Sequence, residues 1–235
     1  MIQNFVHALE HQNVEESKIP YLEYLQTICI IEGHEVKKCQ DMVISELMNS
    51  DIMNFSTDKS HIDELCTLMQ KIHPQTHEEL LSDAQNLKQI LFHSNLIKIL
   101  INCTMGKNTF TEIKCHTILS LEDIQKVVTN KYCLTQIKDT YISFLYHCHI
   151  DTENETKEIF TQPYIWFIFE SFIEDISLVV NVRVEHNFTD FVLEKYICEN
   201  VVEVIQILMF YILIKRSLIL ETTFFKIGDF WIFFA

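Results

Sequence analysis

The sequence predicts an all-α protein, an armadillo- or HEAT-like α-solenoid of paired antiparallel helices, on three observations. Only three Gly (33, 106 and 228) and three Pro (20, 74 and 163) occur in 235 residues, too few for the tight turns of a sheet protein. Apolar residues recur at three- and four-residue steps, the period of a helix with one buried face. The pattern Leu96-Ile97-Lys98-Ile99-Leu100-Ile101-Asn102-Cys103 is echoed from Tyr141 to Cys148, 45 residues later. That offset lies within the period of about 40–47 residues of HEAT and armadillo repeats.

Residues 1–18 are polar with a few apolar positions and are expected to be a weakly ordered N-terminal segment holding only a weak helix. Pro20 marks a helix start, followed by Leu22, Leu25, Ile28 and Cys29, and Gly33 offers a stop. A second helix follows from about Glu35, with Val36, Cys39, Val43 and Leu47 on one face and Lys37, Lys38 and Asp41 on the other. Residues 20–50 thus read as a helix pair, and 51–60 as a polar connection. The next helix runs through Ile62, Leu65, Cys66 and Met69 until Pro74 ends it. A long helical pattern over 76–104 carries Leu80, Leu87, Ile90, Leu91, Ile97, Leu100 and Ile101, and Gly106 caps it.

Ser120-Leu121-Glu122-Asp123 has the Ser-x-x-acid form of a capping box and opens a short helix with Ile124, Val127 and Val128. Leu134, Ile137, Tyr141, Leu145 and Cys148 mark the following helix. Pro163 opens the most apolar one, through Trp166, Phe167, Ile168, Phe169, Phe172, Ile173 and Ile176, which is expected to be central and buried. A last clear helix begins near Phe188 with Leu193, Tyr196 and Ile197. Beyond residue 205 lies an apolar C-terminal tail, 206–235, ending Phe230-Trp231-Ile232-Phe233-Phe234-Ala235. A membrane span needs roughly 18 or more apolar residues in a row. Glu203, Gln206 and Lys215 interrupt this run, so no span is expected.

Apolar residues make up 48% and charged residues 22%, the composition of a folded globular chain. The net charge of −15 opposes nucleic acid and anionic membrane leaflets and favours basic protein partners. The eight cysteines (29, 39, 66, 103, 115, 133, 148 and 198) never fall within four residues of one another, so neither a CxxC redox pair nor a zinc ribbon is written here. Most occupy apolar helical positions, where free Cys acts as a small hydrophobe. Met1 to His7 reads as no signal peptide, so the N-x-[ST] matches at Asn54, Asn102, Asn154 and Asn187 are read as chance. A reducing, cytosol-facing setting fits best.

Three groups invite a chemical reading. Asp151-Thr152-Glu153-Asn154-Glu155-Thr156 alternates acids as a calcium loop does, but an EF-hand needs Gly at its sixth position and Glu at its twelfth, where Thr156 and Gln162 stand. A solvated helix N-terminus, with acids at its positive end, is the better reading. His147-Cys148-His149, and His73 with His77, read as the only His/Cys groupings; adjacent helical residues diverge and Pro74 breaks the second pair, so no zinc site is assigned. Gly106-Lys107-Asn108-Thr109 lacks the earlier Gly of a phosphate loop, Ile101 standing in its place, and reads as a cap and turn. No nucleophile elbow is present. No catalytic, cofactor-binding or metal-binding residue is assigned, no cofactor is expected, and the chain is read as a non-enzyme.

Several contiguous runs carry a resemblance. They are Lys37-Lys38-Cys39-Gln40-Asp41-Met42-Val43 with Glu46-Leu47-Met48-Asn49-Ser50, and Gly106-Lys107-Asn108-Thr109-Phe110-Thr111-Glu112-Ile113-Lys114-Cys115 with Leu119 to Ile124. Further along stand Tyr141 to Cys148, Asp151-Thr152-Glu153, Lys157 to Thr161, Trp166 to Phe172, and Leu193-Glu194-Lys195-Tyr196. Over about residues 20–205 the chain resembles the cytosolic helical region of the inositol trisphosphate receptors, which contains the RIH domain shared with ryanodine receptors. Ser120 departs from the family's usual Pro.

The resemblance implies that residues 19–205 are an RIH-type regulatory domain of a ligand-gated calcium-release channel, transmitting ligand state to a pore absent from this chain. Its implied partners are the other domains and subunits of a tetrameric receptor. Its implied place is the cytosolic face of the endoplasmic reticulum membrane, reached through the missing pore region; the isolated chain would be cytoplasmic. The ligand-binding trefoils are missing too, so no direct inositol trisphosphate site is carried over. The tail departs from the family, as a truncated or mis-spliced gene model would explain. A stand-alone HEAT/armadillo-like protein-interaction adaptor is the alternative, and a membrane-anchored subunit using residues 201–235 a third reading.

Overall fold

The structure is a computed structural model and describes residues 1–11, 15–50, 52, 59–72, 84–153, 157–186 and 191–216. It divides into two compact units, Met1–Phe167 and Ile168–Ala235. Almost every described residue is helical. The helices of the first unit are α1 (Ile2–His11), α2 (Glu15–Cys29), α3 (Lys37–Met48), α4 (Lys59–Ile72), α5 (Ala84–Thr104), α6 (Thr109–Ile118), α7 (Leu121–Val128) and α8 (Thr135–Leu145), followed by a π-helical turn over Tyr146–Ile150. The expected helices ending at Pro74 and starting before residue 84 have those ends outside the described residues.

Helix α5 is the axis of this unit. Ile90, Phe92, Leu96, Ile97, Ile99, Leu100, Ile101 and Cys103 are all buried, a set that surrounds the helix rather than lining one face. Helices α2, α3, α4, α6 and α8 all pack on it. The neighbours stack in register. Lys18 lies over the ring of Phe92 at 5.5 Å, and the thiols of Cys29 and Cys103 meet at 3.8 Å. Both pairs are 74 residues apart, and a constant offset means that α2 and α5 run parallel. Gln40 with Asn108 and Ser45 with Lys114, offset by 68 and 69, make α3 parallel to α6. Asp63 pairs with Lys126, and Cys66 with Asn130, so α4 follows α7 in the same sense. The Oγ atoms of Ser94 and Thr140 meet at 3.2 Å and Thr104 meets Cys148 at 3.3 Å, offsets of 46 and 44, so α5 is also parallel to α8. The 45-residue echo of the sequence is therefore a spatial neighbour relation.

Several local expectations hold. Ser120 and Asp123 make both bonds of the capping box, each at 3.2 Å, and Gly106 ends α5 with φ +78°. Others need correction. Pro20 does not open α2 but lies in its sixth position, where it cannot donate to the carbonyl of Glu16. Gly33 is not a helix stop. Glu32 (φ +51°) and Gly33 (φ +78°) form a two-residue turn between strands β1 (Ile30–Ile31) and β2 (His34–Glu35), paired Ile30 to Glu35 and Ile31 to His34. Two left-handed residues in succession are what a tight hairpin requires. The N-terminal segment contains a packed helix: Ile2, Val6 and Leu9 of α1 are buried, and Phe5 stacks on Tyr24 at 4.2 Å.

Helix α9 (Pro163–His186) begins at its proline but is not buried all round. Phe167, Glu170, Glu174 and Leu178, at helical spacing, form an exposed stripe. In the second unit Phe169 meets Phe172 edge-on at 5.6 Å, and the hydroxyl of Tyr196 donates to buried Asp175 at 3.4 Å. Helix α10 (Phe191–Tyr196), a π-turn over Ile197–Val201 and α11 (Val202–Arg216) complete the unit, with Val201, Val204 and Leu208 buried. No helix among the described residues is long and apolar enough to cross a membrane. Residues 217–235 lie outside the described set.

Glu32 is a side-chain residue in a conformation that costs about 1 kcal/mol outside Gly, Asn and Asp. Glu32→Asn, giving the Asn-Gly pair favoured in this turn, is expected to raise stability by about 0.5–1 kcal/mol, read from the urea midpoint. A lowered midpoint would contradict the hairpin.

Candidate functional site

The last turn of any helix leaves carbonyls without partners, and those of α5 end inside the protein. Buried Gln40 from α3 supplies them: its Nε2 donates to the carbonyls of Asn102 and Met105, both at 2.9 Å. Its Oε1 accepts from Nδ2 of Asn108 at 3.0 Å, and the same amide donates to Asp41 at 2.9 Å. Thr111 donates to the Cys103 carbonyl at 2.6 Å. Gly106 is demanded twice. Its φ is left-handed, and an added Cβ would lie 2.8 Å from Cγ of Glu35. Lys37 Nζ reaches the Lys107 carbonyl at 3.3 Å, so the hairpin and the start of α3 both close over this junction.

The segment after α8 packs on the other side. Lys107 pairs with Asp151 at 2.9 Å, and that bond raises the lysine's pKa. The backbone N–H of Glu153 donates to both oxygens of Glu112 at 3.3 Å. Burial pushes the Glu112 carboxyl up, while the Glu153 N–H and His116 oppose that shift. Asp151 and Glu153 remain solvent-facing but follow the π-turn, and they tie it to α6 and to the turn before α6. Asn154 to Thr156 lie outside the described residues, as do His73, Pro74 and His77.

His147, Cys148 and His149 diverge around the π-turn. Cys148 turns to Thr104, the ring of His149 stacks on His116 at 4.4 Å, and His147 lies edge-on to Tyr146 at 4.9 Å. His116 also contacts the Cys148 carbonyl. No group of three or more His, Cys, Asp or Glu that could hold a metal ion is found among the described residues.

Cys29, Cys103, Cys115 and Cys148, scattered in sequence, are buried together. The Cys29 thiol and burial push Cys103 well up, and burial with the Cys115 thiol does the same to Cys148. These are packing thiols, not nucleophiles. The reading of the sequence also passed over His7 and His11, whose rings approach to 4.1 Å; their four-residue spacing was the signal.

Gln40→Leu takes the Gln40 donor from two carbonyls of this interior junction and leaves the Asn108 amide with Asp41 alone; it is expected to cost about 2–4 kcal/mol, read by denaturant melts. A loss below about 0.5 kcal/mol would mean that water replaces the amide. Acid supplies another test. Burial lowers His93, bonded to the Tyr141 hydroxyl at 2.7 Å, to about 4, and His149 to about 3. Both folded values lie below the ordinary 6.5. As pH falls the unfolded chain therefore takes up these protons first, and stability held above pH 6.5 drains away toward pH 4 and 3. The two imidazoles should steepen the fall by about 1.4 kcal/mol per pH unit each. His93→Gln should remove one such increment, and an unchanged slope would refute its burial as neutral imidazole.

No family model matches the chain. It is 30% identical over 210 residues to an inositol 1,4,5-trisphosphate receptor of Caenorhabditis elegans, covering 87% of this chain and 7% of that receptor. Along nearly its whole length, the chain is an inositol trisphosphate receptor-like segment.

Proposed function

We propose that this chain is a regulatory helical segment of an intracellular ligand-gated calcium-release channel, an armadillo-like solenoid carrying ligand state toward a pore that lies elsewhere in the receptor. One observation carries the reading. The receptor-like runs around Lys37–Met42, Gly106–Cys115 and Tyr141–Glu153, far apart in sequence, meet in one hydrogen-bonded junction at the end of α5. The parallel pairs α2 with α5, α3 with α6, and α4 with α7 support a three-helix repeat, with α8 opening a third. Helices stacked this way move as packed bodies when one end is displaced.

On this reading residues 19–205 are the RIH-type regulatory region, its partners are other domains and subunits of a tetrameric receptor, and the receptor's place is the endoplasmic reticulum membrane with this segment facing the cytosol. The chain carries no catalytic step. A stand-alone HEAT/armadillo-like adaptor is the second reading, favoured by Met42, Phe110 and Ile113, exposed on the adjacent α3 and α6. Transcripts continuing into pore-encoding exons support the channel, and an abundant message stopping after Ala235 supports the adaptor.

The test places this segment in a receptor in exchange for the corresponding stretch and expresses it in cells lacking other such receptors. Lys107→Glu breaks the exposed pair with Asp151, a contact worth only about 0–1 kcal/mol to folding. Ligand-evoked calcium release is expected to fall at constant ligand binding, and Lys107→Glu with Asp151→Lys to restore it. Unchanged release in the single variant, or no restoration in the double one, would sink the coupling role.

A further inference from the structure

We propose that His7 and His11 form a two-imidazole site for a divalent first-row transition ion on the outer face of α1. They belong to the run His7-Ala8-Leu9-Glu10-His11, in which residues four apart lie one above the other on a helix. Leu9 is buried with Ile2 and Val6, which turns the opposite side of α1 outward. Both histidines are on that outward side, with ring centroids 4.1 Å apart and planes inclined at 59°. Two metal–nitrogen bonds of about 2.0–2.1 Å require ring nitrogens roughly 3 Å apart, a separation within the reach of rings this close.

Neutral imidazole suits Zn²⁺, Ni²⁺ and Cu²⁺, whereas Ca²⁺ and Mg²⁺ take oxygen ligands. Exposed Glu10, three residues from His7, and the net charge of −15 favour a cation at this face. The remaining coordination positions are open to water. A bound ion would clip the last two turns of α1 together, and so hold the helix that covers α2 and α3 at the start of the chain.

The test is calorimetric titration of the full chain with Ni²⁺ and Zn²⁺, with the exposed thiol Cys198 changed to Ser to lower the background. One ion per chain is expected, with binding weakened at least tenfold by His7→Gln and by His11→Gln. A rise in thermal midpoint with Ni²⁺ should disappear in both variants. Both side chains are exposed, so the variants are expected to keep the parent's circular dichroism. Absence of binding to the parent chain, or equal affinity in parent and variants, overturns the site. So does loss of binding in only one of the two variants, since a chelate needs both rings.

Discussion

The buried amide of Gln40 is the contact on which the first unit depends. A helix as apolar as α5 can sit at the centre of a protein, but its last carbonyls must still be satisfied there. No water need enter, because α3 presents a side chain with two donors and one acceptor at the right height. The acceptor then holds Asn108, which precedes the first residue of α6 and whose own carbonyl receives the Thr111 and Glu112 N–H groups. One side chain thus sets the end of α5, the start of α6 and the height of α3 against both.

The parallel stacking follows from this junction and from the small groups near it. Helix α2 meets α5 through Cys29 and Cys103, and α5 meets the turn after α8 through Thr104 and Cys148. Thiols and a hydroxyl occupy little volume and can satisfy one another. Burial raises the thiols of Cys103 and Cys148, which keeps these two protonated and unreactive and suits them to packing. The His93–Tyr141 bond does the same work further along α5, with the imidazole held neutral by its surroundings.

Local signals were legible where a short stretch of chain contains its own answer. The Ser120–Asp123 box, the left-handed Gly106 and the proline opening α9 depend on residues within a few positions. Gly33 misled because a glycine ends helices and turns hairpins alike, and only the pairing of Ile30 with Glu35 separates the two. Asp151 and Glu153 misled because an acidic run suits a helix start, whereas their partners Lys107 and Glu112 come from α6 and the turn before it. The exposed stripe of α9 was hidden by an unusually apolar composition, in which Phe167 read as core.

The sequence by itself determined that the chain is helical, where many helices lie, and which receptor it resembles. Period, turn scarcity and contiguous motifs are properties of neighbours along the chain. Only the tertiary structure decided what the motifs are for: that Gln40 belongs with Asn102 and Asn108, that Lys107 holds Asp151, and that four distant thiols share one core. The pairings of Gln40 span 62 and 68 residues in sequence, and the contact of Cys29 with Cys103 spans 74. A buried polar group needs a partner, and where that partner comes from elsewhere in the fold, as for Gln40 and Asn108, no local pattern records which it will be.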